Sequence, residues 1–157
     1  MVNDFVLWMS LFLKVKCLIM IDKPIQWGIK VKKFVGWVGV GVCLKNLIKT
    51  ANYHFNYSNI GHGSYLISTN GYTWSHSIKE FNSSSKCFSF TNNDIVYIEY
   101  DPINLKLRFR KNQGKDAKEK YELTITAPPA GDAYHPCVNL CSTGDSVEII
   151  LPGVPLS

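Results

Sequence analysis

Apolar and polar residues alternate over short runs along most of this chain, and turn formers close each run. Ile25-Gln-Trp27-Gly-Ile29-Lys-Val31 places its apolar residues two apart, the period of a half-buried strand. In Trp37-Val-Gly-Val-Gly-Val-Cys43 the valines at 38, 40 and 42 share one face, and Gly39 and Gly41 leave the other bare, so a large ring or a second backbone can approach it. Ser64–Thr69 and Tyr72–His76 flank Asn70-Gly71, a strong hairpin signal that places both turn residues at positive φ. Phe81–Lys86 reads as a Ser-rich bend. Asp94–Tyr100 and Leu105–Arg110 are joined by Asp101-Pro102-Ile103-Asn104, where proline fixes φ for the reversal. Leu105, Leu107 and Phe109 then point to a packed face, and Lys106, Arg108 and Arg110 to a wet one. Tyr121–Ala127, His135–Cys141 and Ser146–Leu151 complete the set. Regular strand and turn spacing with little helical pattern predicts an all-β antiparallel sandwich.

Two segments break the pattern. Residues 45–62 read as a long polar and aromatic connection, and loops of that length in a compact domain are usually functional or mobile. At the N-terminus, Phe5–Leu13 is apolar, Lys14 and Lys16 interrupt, and Cys17–Ile21 is apolar again. Asp4 precedes the first run where a signal peptide would carry positive charge, and the lysines break what a membrane span would keep whole. One or two sandwich strands are expected there, with a targeting or anchoring segment, or a partly non-native start to the chain, as the alternatives. The chain thus divides into an N-terminal apolar segment, 1–23, one domain, 24–151, and a tail, 152–157.

Composition supports strands: four Trp, eight Tyr and eight Phe favour the pleated, half-buried surface. At 157 residues the chain buries enough surface to fold without a metal or disulfide staple. Five cysteines, at 17, 43, 87, 137 and 141, are odd in number and irregular in spacing, which argues against a secreted disulfide framework and for free thiols in the cytoplasm. The net charge of +5 draws partly on Lys106–Lys120, but Asp116, Glu119 and Glu122 interleave there, so the run reads first as a solvated hairpin.

Catalytic arrangements are hard to find. Ser75 and His76 are neighbours on a strand and point to opposite faces, so with Asp94 they make no hydrolase triad. Cys137 and Cys141 share a strand face but stand roughly 13 Å apart at ~3.3 Å per residue, too far for one zinc, and are read as packed thiols. Asp94 and Asp101 are read as turn residues at the two ends of one strand. No catalytic residue, metal ligand or cofactor site is expected.

Taken together, the runs resemble the SPRY domain, the core of the B30.2 module. Trp27 with Val31 is similar to its opening strand, and Gly36-Trp-Val-Gly-Val-Gly-Val42 to its "GVGV" strand. Ser64-Tyr65 with Asn70-Gly71 is similar to its central hairpin, Asn93-Asp94-Ile-Val and Glu99-Tyr-Asp101 to the two ends of its next strand, and Leu107-Arg-Phe109-Arg-Lys-Asn112 to "F-x-x-N-G". His135-Pro-Cys-Val-Asn139 and Gly144-Asp-Ser-Val-Glu-Ile149 are similar to its last strands. Two positions depart from the pattern: Gly28 stands where the family usually has glutamate, and Asn93 where it usually has glycine. The resemblance implies a bent two-sheet antiparallel sandwich, a concanavalin-like jelly roll. It also implies no catalysis, and binding of a protein or peptide through loops at one edge, as in the substrate-recognition part of a ubiquitin-ligase adaptor or a scaffold.

On that scaffold the expected partner-binding residues are Asn52, Tyr53, His54, Asn56, Tyr57, Asn70, Tyr72 and Trp74. Tyrosine and tryptophan bring large contact area at low entropy cost, and asparagine pairs with peptide amides. Phe55 and Tyr65 are further aromatic candidates, and for Tyr65 and Trp74 a core position weighs equally. A monomeric domain is expected, with a protein or peptide ligand rather than a small molecule or a membrane. The alternative is a nucleic-acid or anionic partner on Lys106, Arg108, Arg110 and Lys111.

Overall fold

The computed structural model describes residues 23–52, 61–78, 80–112 and 119–151, with residues 81–85 described for their backbone. Among the described residues, ten strands form two five-stranded antiparallel sheets. The first sheet runs β10 (Ser146–Ile150), β1 (Ile25–Lys33), β6 (Ile95–Asp101), β7 (Lys106–Lys111), β8 (Lys120–Thr124). The second runs β5 (Glu80–Ser85), β4 (Tyr72–Ser75), β3 (Ser64–Ser68), β2 (Val38–Leu44), β9 (Tyr134–Leu140). The inner faces meet in one core. Trp27, Ile29, Val31, Val96, Ile98, Leu107, Phe109 and Leu123 from the first sheet pack on Val38, Val40, Val42, Tyr65, Ile67, Val138 and Leu140 from the second.

The glycines of β2 do what their alternation with valine predicts. A side chain at Gly39 would stand 3.2 Å from Trp37 Cζ3 and 3.6 Å from Trp74 Cζ3, so the missing Cβ makes room for two indoles. At Gly41 it would collide with the Tyr65 carbonyl oxygen of the paired strand. A Cβ at Gly28, where the family pattern carries glutamate, would stand 3.1 Å from Ile150 Cβ and 3.3 Å from the Tyr97 ring, so a side chain there requires its neighbours to shift. Asn93, in the place of the usual glycine, has φ +69°, a left-handed conformation that asparagine tolerates better than most residues.

Three local expectations are corrected. Phe81–Lys86 is not a bend: Glu80–Ser85 is β5, an edge strand paired with β4. The connection after β2 opens with a helix, α1 (Lys45–Thr50), whose Leu47 and Ile48 turn towards the two sides of the second sheet. The Asn70-Gly71 hairpin has a three-residue loop, 69–71, with only Gly71 in the left-handed region (φ +78°). The Gly71 amide donates to the Ser68 carbonyl at 2.8 Å, which closes a turn ahead of the glycine rather than around it.

β9 is an edge strand, and its residues 135, 137, 139 and 141 face their β2 partners in hydrogen-bonding register, as the Cys141 amide bonded to the Trp37 carbonyl (3.1 Å) fixes. Pro136, between them, therefore turns its nitrogen to the free edge, where a donor is not needed.

Candidate interaction surface

The antiparallel sheets have two ends, and the expected site residues divide between them. Asn52 follows α1 at the C-terminal end of β2 and is exposed, with φ +51°. Asn70 sits on the hairpin beside the N-terminal end of β2, because the Thr69 amide donates to the Val38 carbonyl (2.9 Å) and the Thr69 hydroxyl accepts from the Val38 amide (3.2 Å). Seven residues of strand separate the two ends, about 20 Å at ~3.3 Å per residue. Asn52 and Asn70 thus do not form one edge. Tyr53, His54, Phe55, Asn56 and Tyr57 lie outside the described residues.

Asn70, Tyr72 and Trp74 lie on one hairpin, between and along β3 and β4, and Trp74 meets a residue left out of the expected set. Trp37, just before β2, stacks on Trp74 with ring centroids 4.9 Å apart and planes 37° apart. Trp74 is buried, Trp37 and Tyr72 are half-buried, and Asn70 is exposed. Tyr65 is fully buried in the inter-sheet core, and Trp74 is buried in a second cluster on the other side of its sheet, with Leu66, Ile48 and Cys137. The signal for Trp37 was present: it shares the bare glycine face of its strand.

Next to Trp37 stands Val35, 68% exposed, on a turn that is well tied down. The Val35 amide donates to Asp145 Oδ1 at 2.6 Å, and Asp145 Oδ2 accepts from the Ser142 amide at 2.7 Å. The Phe34 amide donates to Asn92 Oδ1 at 3.2 Å. One buried aspartate thereby joins the β1–β2 turn to the β9–β10 turn and holds an apolar tip in water. The rim of this end is Val35, Trp37, Asn70 and Tyr72.

The opposite end carries a buried polar brace. His62 is 1% exposed; its Nε2 lies 2.6 Å from the Glu80 carbonyl, which only accepts, so Nε2 carries the proton. Nδ1 is therefore bare and accepts from the Ser64 hydroxyl (2.8 Å) and the Ser64 amide (3.2 Å). This ring must be neutral, and burial lowers its pKa to about 4. His76 likewise accepts from the Gly63 amide at Nδ1 (3.0 Å), and burial lowers its pKa. His76 thereby anchors the return of the chain into β3. Gly61 (φ +89°) and Gly63 (φ +78°) let the backbone wrap this pair, and a side chain at Gly61 would run into the His76 ring. Ser75 bonds to Ser77 at 3.2 Å, and Asp94 accepts from the Thr91 amide in a turn of the other sheet, so the three residues weighed as a triad do not meet.

The basic strand is charge-compensated. Arg108 Nη1 contacts Glu99 Oε1 at 2.8 Å and Asp101 Oδ2 at 3.2 Å, and Arg108 Nε contacts Glu122 Oε2 at 2.9 Å. Lys106 pairs with Glu122 at 2.9 Å, and Lys111 with Glu119 at 2.8 Å. The guanidinium of Arg110 lies over the Tyr97 ring, 5.8 Å from its centroid. Asp101 also accepts from the Ile103 and Asn104 amides and the Asn104 side chain. These bonds, the Asn104 ones first and the Arg108 pair after them, hold its carboxyl below the ordinary range.

Among solved structures, the SPRY domain of human HERC1 matches the two-sheet sandwich with a TM-score of 0.59 at 20% sequence identity, covering 85% of this chain and 78% of that one. The fold is a SPRY-like β-sandwich, as the motif order in the sequence implies. No family model and no curated protein matches the sequence.

Proposed function

We propose that this domain is a non-catalytic protein-interaction module that holds a protein or peptide at the loop end formed by Val35, Trp37, Asn70 and Tyr72. The observation that carries the reading is Val35: an apolar side chain 68% exposed on a turn clamped by Asp145, beside an indole stacked on a second indole. A pre-ordered aromatic and aliphatic tip loses little entropy on binding, which is what binding hot spots require. Asn70 supplies amide hydrogen bonds at the rim. The SPRY-like fold supports the same reading, since such sandwiches commonly present loops to protein partners. Within a larger protein the module serves as a recognition end, in a ubiquitin-ligase adaptor or a scaffold, in the reducing interior of the cell. The nucleic-acid alternative loses its support, because the carboxylates of Glu99, Asp101, Glu119 and Glu122 already occupy Lys106, Arg108 and Lys111.

The test is capture of partners on the intact chain, followed by peptide mapping and titration. Val35→Asp is expected to weaken binding by about 2 kcal/mol, as hot-spot losses do. It should change folding stability by less than about 0.5 kcal/mol, as exposed positions do. If Val35→Asp binds normally while Tyr57→Ala does not, the segment 45–62 carries recognition and this end does not.

A further inference from the structure

Strand register lays out the outer face of the first sheet, turned away from the sandwich core, in rows. One row is Glu99, Arg108 and Glu122, from β6, β7 and β8. Its charges close on one another, Arg108 with Glu99 at 2.8 Å and with Glu122 at 2.9 Å. The next row is Ile150, Gly28, Tyr97, Arg110 and Lys120, from β10 to β8. Here Arg110 faces Lys120 directly. Two like charges so placed, on Cβ atoms about 5 Å apart, cost stability that an anion between them restores. Among the described residues neither has a carboxylate partner, and Lys30, two residues beyond Gly28 on the same face, has none either. Glu99 and Glu122, the acids diagonal to Arg110, are both turned to Arg108.

Two polar atoms of this row, Arg110 Nε and the Tyr97 hydroxyl, are buried without a hydrogen-bond partner. Tyr97 is 7% exposed, and the guanidinium lies over its ring. Both groups can donate, so the row combines unmet donors with unmatched positive charge, and an ionised carboxylate only accepts. The cationic part is small. Glu99 and Glu122 border it, and Lys106 and Lys111 on the same strand are already paired. A nucleic acid, with a phosphate about every 3.4 Å along each strand, would lay negative charge against those acids; a single acidic side chain does not. Towards β1 the row turns apolar. A Cβ at Gly28 would meet Ile150 Cβ at 3.1 Å, the Tyr97 ring at 3.3 Å and Ile95 Cγ2 at 3.5 Å, so three apolar side chains converge over the glycine. From Arg110 to Gly28 is two strand spacings, about 10 Å at ~4.8 Å each, which an extended peptide crossing the strands covers in three residues at ~3.3 Å each.

We propose that the outer face of the first sheet is a second docking surface of this domain. Its occupant is a peptide segment of a partner protein with an acidic side chain on Arg110 and Lys120 and an apolar one, three residues away, over Gly28. The guanidinium fork suits a carboxylate, and Lys120 adds the second cation. This surface is separate from the Val35 loop end, and neither reading needs the other.

The test titrates the full, isotope-labelled chain with acetyl-Glu-Gly-Ser-Leu-amide and with its reverse, acetyl-Leu-Ser-Gly-Glu-amide, and follows the backbone amide resonances. At least one peptide should shift the amides of Gly28, Tyr97, Arg110 and Lys120 saturably. Glutamine in place of the peptide's glutamate should weaken binding at least tenfold. Arg110→Gln should do the same, Lys120→Gln should weaken it at least threefold, and Arg108→Gln less than twofold. No saturable shift with either peptide, shifts confined to other residues, or an equal loss in Arg108→Gln overturns the proposal. So does a thymidine hexanucleotide that shifts the same amides at lower concentration, because the face then selects phosphate chains. If Arg110→Gln does not fold, Lys120→Gln, at an exposed position, and the glutamine peptide decide: undiminished binding in both overturns it.

Discussion

His62 is the residue whose surroundings speak most clearly. The Glu80 carbonyl demands a proton on Nε2 and the Ser64 amide demands none on Nδ1, so a charged ring costs both bonds. With a folded pKa of about 4 against an ordinary 6.5, the unfolded chain binds the extra proton between those values. The stability that neutral His62 contributes is present above pH 6.5 and is lost as pH falls through 6.5 to 4, by about 3 kcal/mol in all. His76 and His135 are shifted the same way by burial, so the native chain loses stability with acid more steeply than His62 alone dictates. Urea titrations at pH 7.5 and 4.5 should show a smaller drop for His62→Gln than for the native chain. An equal drop would mean the ring is charged when folded. Little of this was legible in the sequence, because a buried histidine flanked by glycines leaves no periodic trace and its partner, Glu80, lies 18 residues away. Gly39 and Gly41 were legible, because alternation with valine assigns them a face before any neighbour is known.

At the level of elements, nine of the ten strands follow runs read from alternation and turn residues, and β5 does not. Its Asn-Ser-Ser-Ser core carries every local mark of a bend, and pairing with β4 overrides those propensities. α1 was hidden for another reason: six residues are too few to show a helical period, and such a turn forms through packing rather than propensity. The hairpin between β3 and β4 was located correctly and its loop was one residue longer than expected. Since only Gly71 takes the left-handed conformation, Gly71→Ala should cost about 1–2 kcal/mol by denaturant unfolding, and Asn70→Ala much less. A loop needing positive φ at both positions would make the two losses similar. On β7, Arg108→Ala removes one hub from a surface ion-pair network and should lower stability by about 1 kcal/mol or less. Retention on an immobilised polyanion should hardly change. A marked loss of retention would restore the basic strand as a binding site.

For the whole molecule, the order of motifs along the chain carried the fold, while the site was only partly legible. Alternation fixes which face a residue takes, but not which end of a sheet a loop occupies; that depends on strand direction, which placed Asn52 and Asn70 far apart. The described cysteines, 43, 87, 137 and 141, are free, and burial pushes the thiol of Cys87 up to about 12, so it stays protonated and slow to oxidise. Thiol titration of the denatured, unreduced chain should count five; a count of three would reveal a disulfide and a secretory setting. One detail at the margin of the second sheet bears on how the protein behaves in a crowded solution. A flat strand margin with regularly spaced donors invites a second molecule to extend the sheet, and then a third. Pro136 puts a gap in that row, half-way along β9. Replacing it by valine should leave each copy folded, yet make the apparent molar mass read from light scattering climb with concentration more steeply than it does for the native chain.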